Sequence, residues 1–238
     1  MNSIADNICA VRKRIAEVAA DCGRGEDSVQ LLAVSKTRSP DELRDAYAAG
    51  QCAFGENYLQ EALDKIEALA DLDIEWHFIG PIQSNKTRAI AGHFDWVHSV
   101  DRAKVARRLS EQRPGGLAPL NICLQVNISA EPSKSGCLPD EVEALAREVA
   151  TLPNIRLRGL MAIPAASEDP EEQRRPLAAM RELLRQLQQE HPGLDTLSMG
   201  MSADMEAAIC EGATQVRIGT ALFGPRDYGA KTPVGTAT

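Results

Sequence analysis

The sequence lacks any apolar run long enough to span a bilayer, any C-x-x-C pair, any contiguous basic patch and any linker that would separate two domains. Each absence excludes something. The amino-terminal stretch "MNSIADNICAVRKRIAEVAADC" carries charges throughout and has no apolar centre. It therefore reads as an amphipathic helix and not as a signal peptide or membrane span, and the protein is expected in the cytoplasm with no membrane partner. A net charge of -8 with Lys and Arg scattered along helical stretches, as solvated faces, argues against nucleic acid as a partner. The six cysteines, Cys9, Cys22, Cys52, Cys123, Cys137 and Cys210, have no regular spacing, so neither a zinc site nor a disulfide framework is expected. They are expected to be reduced, with Cys9, Cys52, Cys123 and Cys210 as small buried hydrophobes in apolar-periodic segments. The histidines make no metal site either: His93 and His98 share no helical face, and His191 precedes Pro192 at a helix end.

What remains is a chain of 238 residues, 44% hydrophobic, able to bury a full core. Short apolar runs alternate with amphipathic stretches of helical length. The strand candidates are "LLAVSK" (31–36), "CAFGE" (52–56), "WHFIG" (76–80), "DWVHSV" (95–100), "NICLQVNI" (121–128), "RLRGLMAI" (156–163), "TLSMG" (196–200) and "QVRIG" (215–219). Between them lie helices such as "DELRDAYAAG", with Gly50 as its stop signal, "LPDEVEALAREVATLP" and "EEQRRPLAAMRELLRQLQQEHPG". Continuous apolar strands in βα alternation imply parallel pairing. Eight such units closing on themselves make a single-domain α/β fold, a (β/α)8 barrel over residues 1–228 with an extra amino-terminal helix. Periodicity alone does not separate that barrel from a doubly wound open sheet. The tail "GAKTPVGTAT" (229–238) carries no motif and is expected to be disordered.

In a barrel the carboxyl ends of the strands converge on one face, where the site forms. Lys36 lies there, because Ser39, Pro40 and Glu42 read as N-cap, first helical residue and returning acid of a capping box just beyond it. "GENY", "GPIQSNK", "SKSG", "GLMAIP", "MGMSADM" and "RIGTALFG" fall on the same face. The loops after strands seven and eight are the usual phosphate site of the fold, and Ser202, Gly219 and Thr220 suit that role. Plainer roles compete. Lys36 could be a surface lysine or a core ion-pair partner, Asn57 an N-cap with Gln60 completing a capping box, and Ser202 the cap of the helix "ADMEAAICEG". Met161, Met199 and Met201 fit barrel packing better than ligand contact. Arg217 is different: inside an apolar strand an unpaired guanidinium costs several kcal/mol, so it must face something polar. A lysine amine near a phosphate site suggests Schiff-base chemistry with a phosphorylated aldehyde, either a sugar phosphate in an aldolase or pyridoxal 5′-phosphate.

The segments "LLAVSKT", "FGENYLQEALDK", "WHFIGPIQSNK", "VNIS" with "SKSG", "RGLMAIP", "LSMGMSADMEAAI" and "VRIGTALFGPRDY" resemble, in this order and across residues 30–228, the pyridoxal phosphate homeostasis proteins of the YggS/PROSC family. The resemblance implies a barrel similar to the amino-terminal domain of alanine racemase, with the cofactor held as an internal aldimine on Lys36. It implies phosphate contacts from Ser202, Gly219 and Thr220, Arg217 at the pyridine nitrogen and Asn57 on the cofactor side; His77 is a candidate lining residue, and Lys134 in "SKSG" a second candidate amine. It also implies a cofactor carrier, with apo-enzymes as partners, and no catalytic turnover. A guanidinium does not hand a proton to the ring nitrogen, so carbanion chemistry is weakly supported. A racemase of this fold needs a second acid/base from an additional β-domain, whereas Tyr47, Tyr58 and Tyr228 offer no evident substitute. The racemase therefore stands as the alternative, and the aldolase behind it.

Overall fold

The computed structural model describes residues 3–167 and 169–225, so the tail expected to be disordered and Tyr228 lie outside the described residues. Its strands are β1 (Gln30–Val34), β2 (Ala53–Glu56), β3 (Glu75–Phe78), β4 (Trp96–Val100), β5 (Leu120–Val126), β6 (Ile155–Ala162), β7 (Thr196–Ser198) and β8 (Gln215–Ile218). All eight expected strands are present. They pair in parallel in chain order, and β8 closes on β1 with Leu32 opposite Arg217, which decides for the closed barrel against the open sheet.

The helices between them are α2 (Pro40–Ala48), α3 (Leu59–Ala68), α4 (Thr87–His93), α5 (Ala103–Gln112), α6 (Val142–Ala150), α7 (Pro170–Glu190), α8 (Met205–Cys210) and α9 (Thr220–Phe223), preceded by α1 (Ile4–Asp21). The capping box ahead of α2 forms as expected: the Glu42 N–H donates to Ser39 Oγ (3.3 Å), and the Ser39 N–H to Glu42 Oε2 (2.8 Å). Helix α1 opens on a second box, between Ser3 and Asp6. It buries Ile8, Ile15, Val18 and Ala19 along one stripe, packing on α2, α8 and α9. Burial of each larger side chain there is worth roughly 1.5–3 kcal/mol. No helix among the described residues is long and apolar enough to cross a membrane.

Period-two alternation separates two environments. Leu31, Ala33, Phe54, Trp76, Phe78, Val97, Ile122, Leu124, Leu197 and Val216 point outward into one large apolar layer shared with the helices. Leu32, Ala53 and Ile79, and separately Trp96, Cys123 and Met161, pack inside the barrel.

Several expectations are corrected. Cys22, at the end of α1, is bonded to Cys210 at the end of α8, with Cα atoms 5.3 Å apart. The two lie 188 residues apart in the chain, so spacing carries no signal of a pairing that only the docking of α1 creates. Of the cysteines expected in the core only Cys123 is buried; Cys9, Cys52 and Cys210 are exposed, and Cys137 is buried instead. Met161 and Met199 are core residues as expected, but Met201 is exposed. Nor are all the cations solvated: Lys65, Arg113 and Arg217 are buried.

Candidate functional site

The strand order places the ends of β7, β8, β1 and β2 side by side on one face. That adjacency gathers Ser202, Gly219 with Thr220, Lys36 and Asn57 on four neighbouring loops. Lys36 is half-buried and lies two residues past the end of β1, in a turn closed by the Arg38 N–H donating to the Ser35 carbonyl (3.1 Å). A Cβ at Gly219 would lie a tight 3.1 Å from the Val34 carbonyl oxygen, so the end of β8 approaches closely the chain just before Lys36. Gly80 does the same for the next loop: a Cβ would sit 2.1 Å from the Asn57 carbonyl oxygen.

The competing cap roles fall away. Helix α3 has Tyr58 as its N-cap with no side-chain cap bond, and Gln60 donates to Asp64 instead. Asn57 is therefore not a cap, and its Oδ1 is buried with no hydrogen-bond partner. Helix α8 starts after Asp204, whose carboxylate receives the Met201 N–H (2.7 Å), so Ser202 does not cap it either. Ser202 and Thr220 are exposed. Lys134 is engaged with Glu131 (3.0 Å) and the Ile163 carbonyl (3.3 Å).

Arg217 is only 4% exposed and points into the barrel. Its Nη1 donates to the Ser198 carbonyl (2.7 Å) and to Ser198 Oγ (2.9 Å), and its Nη2 to the Ala162 carbonyl (2.8 Å). These bonds use three of the five guanidinium donors. Ser198 Oγ meets His98 Nδ1 (2.9 Å) across the lumen, His98 Nε2 meets His77 Nδ1 (2.9 Å), and His77 Nε2 meets Glu75 Oε1 (2.8 Å). With both rings neutral the chain has one consistent polarity: Arg217 donates to Ser198, Ser198 to His98, His98 to His77, and His77 to the Glu75 carboxylate. Burial, with the Arg217 guanidinium behind it, holds His98 well below the usual imidazole range. Burial also pushes the Arg217 guanidinium down to about 10, which leaves it charged at neutral pH. The bond from His77 lowers the Glu75 carboxyl. His77, whose facing alternation left open, is thus a lumen residue, stacked on Trp96 at 5.5 Å.

Three polar residues packed beside the Lys36 turn, Glu56, Lys65 and Glu61, were not singled out from the sequence. Glu56 is fully buried and Lys65 nearly so, their charges 2.8 Å apart, and Lys65 also reaches Glu61 Oε1 at 2.5 Å. Burial drives the Glu56 carboxyl up, while Lys65 and the Ser35 hydroxyl pull it down. The Thr37 N–H donates to Glu61 Oε1, in a turn where Thr37 has φ +63°. A β-branched residue in that region stores about 1–3 kcal/mol of strain. A readable signal existed: Lys65 shares the inner face of α3 with Ala62, three residues before it, and Leu69, which ends the helix, is buried four residues after it.

Size does not mark this site. A cavity of about 1310 Å³ opens at the opposite end of the barrel, beneath α1, lined by residues that include Arg12, Tyr47, Gln51, Glu75 and Asp95. None of Lys36, Asn57, Ser202, Arg217, Gly219 or Thr220 borders it. Among the described residues no group of three or more His, Cys, Asp or Glu is placed to hold a metal ion.

A closed parallel barrel with a lysine beyond its first strand and an arginine facing inward from its last belongs to the class of the alanine racemase amino-terminal domain, whose family model matches residues 7–227. The pyridoxal phosphate homeostasis protein of Pseudomonas aeruginosa is 64% identical over 230 residues, covering 97% of this chain and 99% of that protein. PipY of Synechococcus elongatus, solved with pyridoxal phosphate bound, is 38% identical with a TM-score of 0.82, covering 93% of this chain and all of PipY. The chain belongs to the pyridoxal phosphate homeostasis protein family. Alanine racemase from Corynebacterium glutamicum, at 19% identity and a TM-score of 0.70, shares the fold alone; 94% of this chain matches 60% of that one.

Proposed function

We propose that this protein holds pyridoxal 5′-phosphate on Lys36 in the cytoplasm, as a reserve for apo-enzymes and without turnover of its own. The observation that carries the reading is the set of four neighbouring loops: one amine, a glycine-made close approach and an orphaned amide oxygen meet at the mouth of a lumen that contains a fixed guanidinium. The residues fit the group. Lys36 would anchor its aldehyde, Ser202, Gly219 and Thr220 would take its phosphate, the buried Asn57 Oδ1 supplies an acceptor in need of a donor, and Arg217 would stand at the ring nitrogen. When bound, the cofactor supplies an aldehyde for a lysine amine and a ring that draws electrons strongly only when its nitrogen is protonated.

Arg217 acts against that last property. It offers donors only, it keeps its own proton at neutral pH, and the polarity of the Ser198–His98–His77–Glu75 chain runs away from it. Among the described residues, neither tyrosine is placed to act as a second acid/base. Tyr47 borders the cavity at the opposite end of the barrel, and Tyr58 is exposed beside Asn57.

The test is borohydride trapping followed by peptide mapping. Protein loaded with pyridoxal phosphate should carry the added mass on the peptide containing Lys36, and Lys36→Ala should lose both the adduct and the near-visible absorbance. An undiminished adduct in that variant would transfer the role to another amine, with Lys134 the first to check. Incubation with L-alanine should yield no D-alanine; racemisation at about 1 s⁻¹ or faster would make the protein an enzyme.

A further inference from the structure

The residues on both sides of Lys36 are fastened to one buried charge cluster that the cofactor reading leaves without a task. An ammonium has three donors. Those of Lys65 end on the Ser35 carbonyl (2.7 Å), Glu56 Oε1 (2.8 Å) and Glu61 Oε1 (2.5 Å). The Ser35 hydroxyl donates to the same Glu56 oxygen (2.6 Å), and the Thr37 N–H to the same Glu61 oxygen (2.5 Å). Farther along the turn, Arg38 donates to the Phe223 carbonyl (3.0 Å) and the Gly224 carbonyl (2.5 Å). Burying a lysine and a carboxylate is a poor way to gain stability, since desolvation cancels much of the attraction. The cluster does something more particular: its bonds stop on residues 35 and 37, and one of them pins Thr37 in its left-handed conformation.

We propose that Lys65, with Glu56 and Glu61, is the positioning device for Lys36, locking the turn so that the amine meets a phosphorylated aldehyde in a single orientation. The proposal rests on the reading of Lys36 as the anchor. Released from Glu61, Thr37 would relax toward the extended region that β-branched residues prefer, and the backbone carrying Lys36 would turn with it. Covalent capture then loses the advantage of a preset geometry, while contacts to the phosphate and ring are left in place.

The experiment uses Glu61→Ala in the full chain, because the Glu61 side chain is 31% exposed and its removal leaves Lys65 bonded to Glu56 and to the Ser35 carbonyl. Without ligand, the Thr37 amide should exchange with deuterium about tenfold faster, as expected for loss of a charge-assisted bond. With pyridoxal phosphate added, the rate of borohydride-trappable capture on Lys36 should fall about tenfold. Affinity for pyridoxine 5′-phosphate, which has the ring and phosphate but no aldehyde, should change by less than about threefold. Glu61→Gln, which keeps an oxygen for the Thr37 N–H, should recover most of the exchange protection; it reads the same quantities if the alanine variant does not fold. An unchanged capture rate, or a loss matched by pyridoxine phosphate affinity, overturns the positioning role. A wild-type protein that forms no adduct on Lys36 overturns the anchor reading, and the positioning role with it.

Discussion

The layer between strands and helices and the lumen of the same barrel are built on opposite principles. The layer is a continuous apolar mass in which Phe78, Phe94, Val97, Leu109, Leu120 and Ile122 are all but inaccessible. The lumen has only small apolar clusters at its edges, and across its middle run Arg217, Ser198, His98 and His77, ending on Glu75. Barrels of this type ordinarily fill that space with branched aliphatic side chains. The polar filling adds little stability, since each satisfied buried hydrogen bond nets about 1 kcal/mol and the buried charge costs more than that. Its gain is orientation: Arg217 has one available pose, fixed by acceptors on β6 and β7. Apolar packing and a fixed polar chain thus occupy opposite faces of the same strands.

If that division is real, the largest loss of stability should come from the layer. Phe78→Ala removes a ring that packs edge-on against Phe94 at 5.3 Å, and it should cost about 3–5 kcal/mol in urea unfolding. A cost below about 1 kcal/mol, less than the transfer term alone for a buried ring, would show that the layer is not the main source of stability. The next effect belongs to the rim of the layer, where Cys22–Cys210 ties α1 to α8. Unfolded without reductant, the protein should show four reactive thiols, those of Cys9, Cys52, Cys123 and Cys137, and six after reduction. Paired Cys22→Ser and Cys210→Ser substitutions should lower stability by about 2–5 kcal/mol under oxidising conditions. Six thiols before reduction would remove this contribution altogether.

The same division explains what could be read from the sequence. Outward-facing residues announce themselves, because Leu31, Ala33, Val97, Ile122 and Leu124 help make the apolar runs from which all eight strands are read, though not the closure of β8 on β1. Lys36 and the capping box at Ser39 were legible because helix starts have local chemistry. Lumen residues have no such grammar. Arg217 stood out as a charge among apolar neighbours, but His98 and Ser198 acquire meaning only when β4 and β7, which are not neighbours in the sheet, face each other across the barrel. A search for metal ligands passes over His98, whose partners are a serine and another imidazole. Lys65 went unread because one cation on a helix looks like any other until the partners of that face are known. The Cys22–Cys210 bond depends entirely on how α1 docks.

The smallest effect is the one that isolates the lumen, and it is a dependence on pH. His98 is fully enclosed, faced by His77 from β3, by Ser198 from β7 and by Arg217 from β8, with Glu75 at the far side of His77. Its folded pKa lies well below the 6.5 of an ordinary imidazole, so between those two values the unfolded chain binds a proton that the folded one refuses. The resulting stability is fully present above pH 6.5 and is lost as the pH falls below it, at up to about 1.4 kcal/mol per pH unit. Glu75, with its carboxyl lowered, adds a loss of the same sign, but only below its ordinary value of 4.5. Urea midpoints of the wild type measured between pH 7.5 and 5 should therefore decline, and His98→Gln, which keeps a donor and an acceptor without a titrating ring, should flatten the part of the slope above pH 5. The variant should start somewhat less stable at pH 7.5 and lose less on acidification. Parallel slopes in the two proteins would mean that His98 accepts a proton inside the fold, and the one-way chain from Arg217 to Glu75 would have to be abandoned.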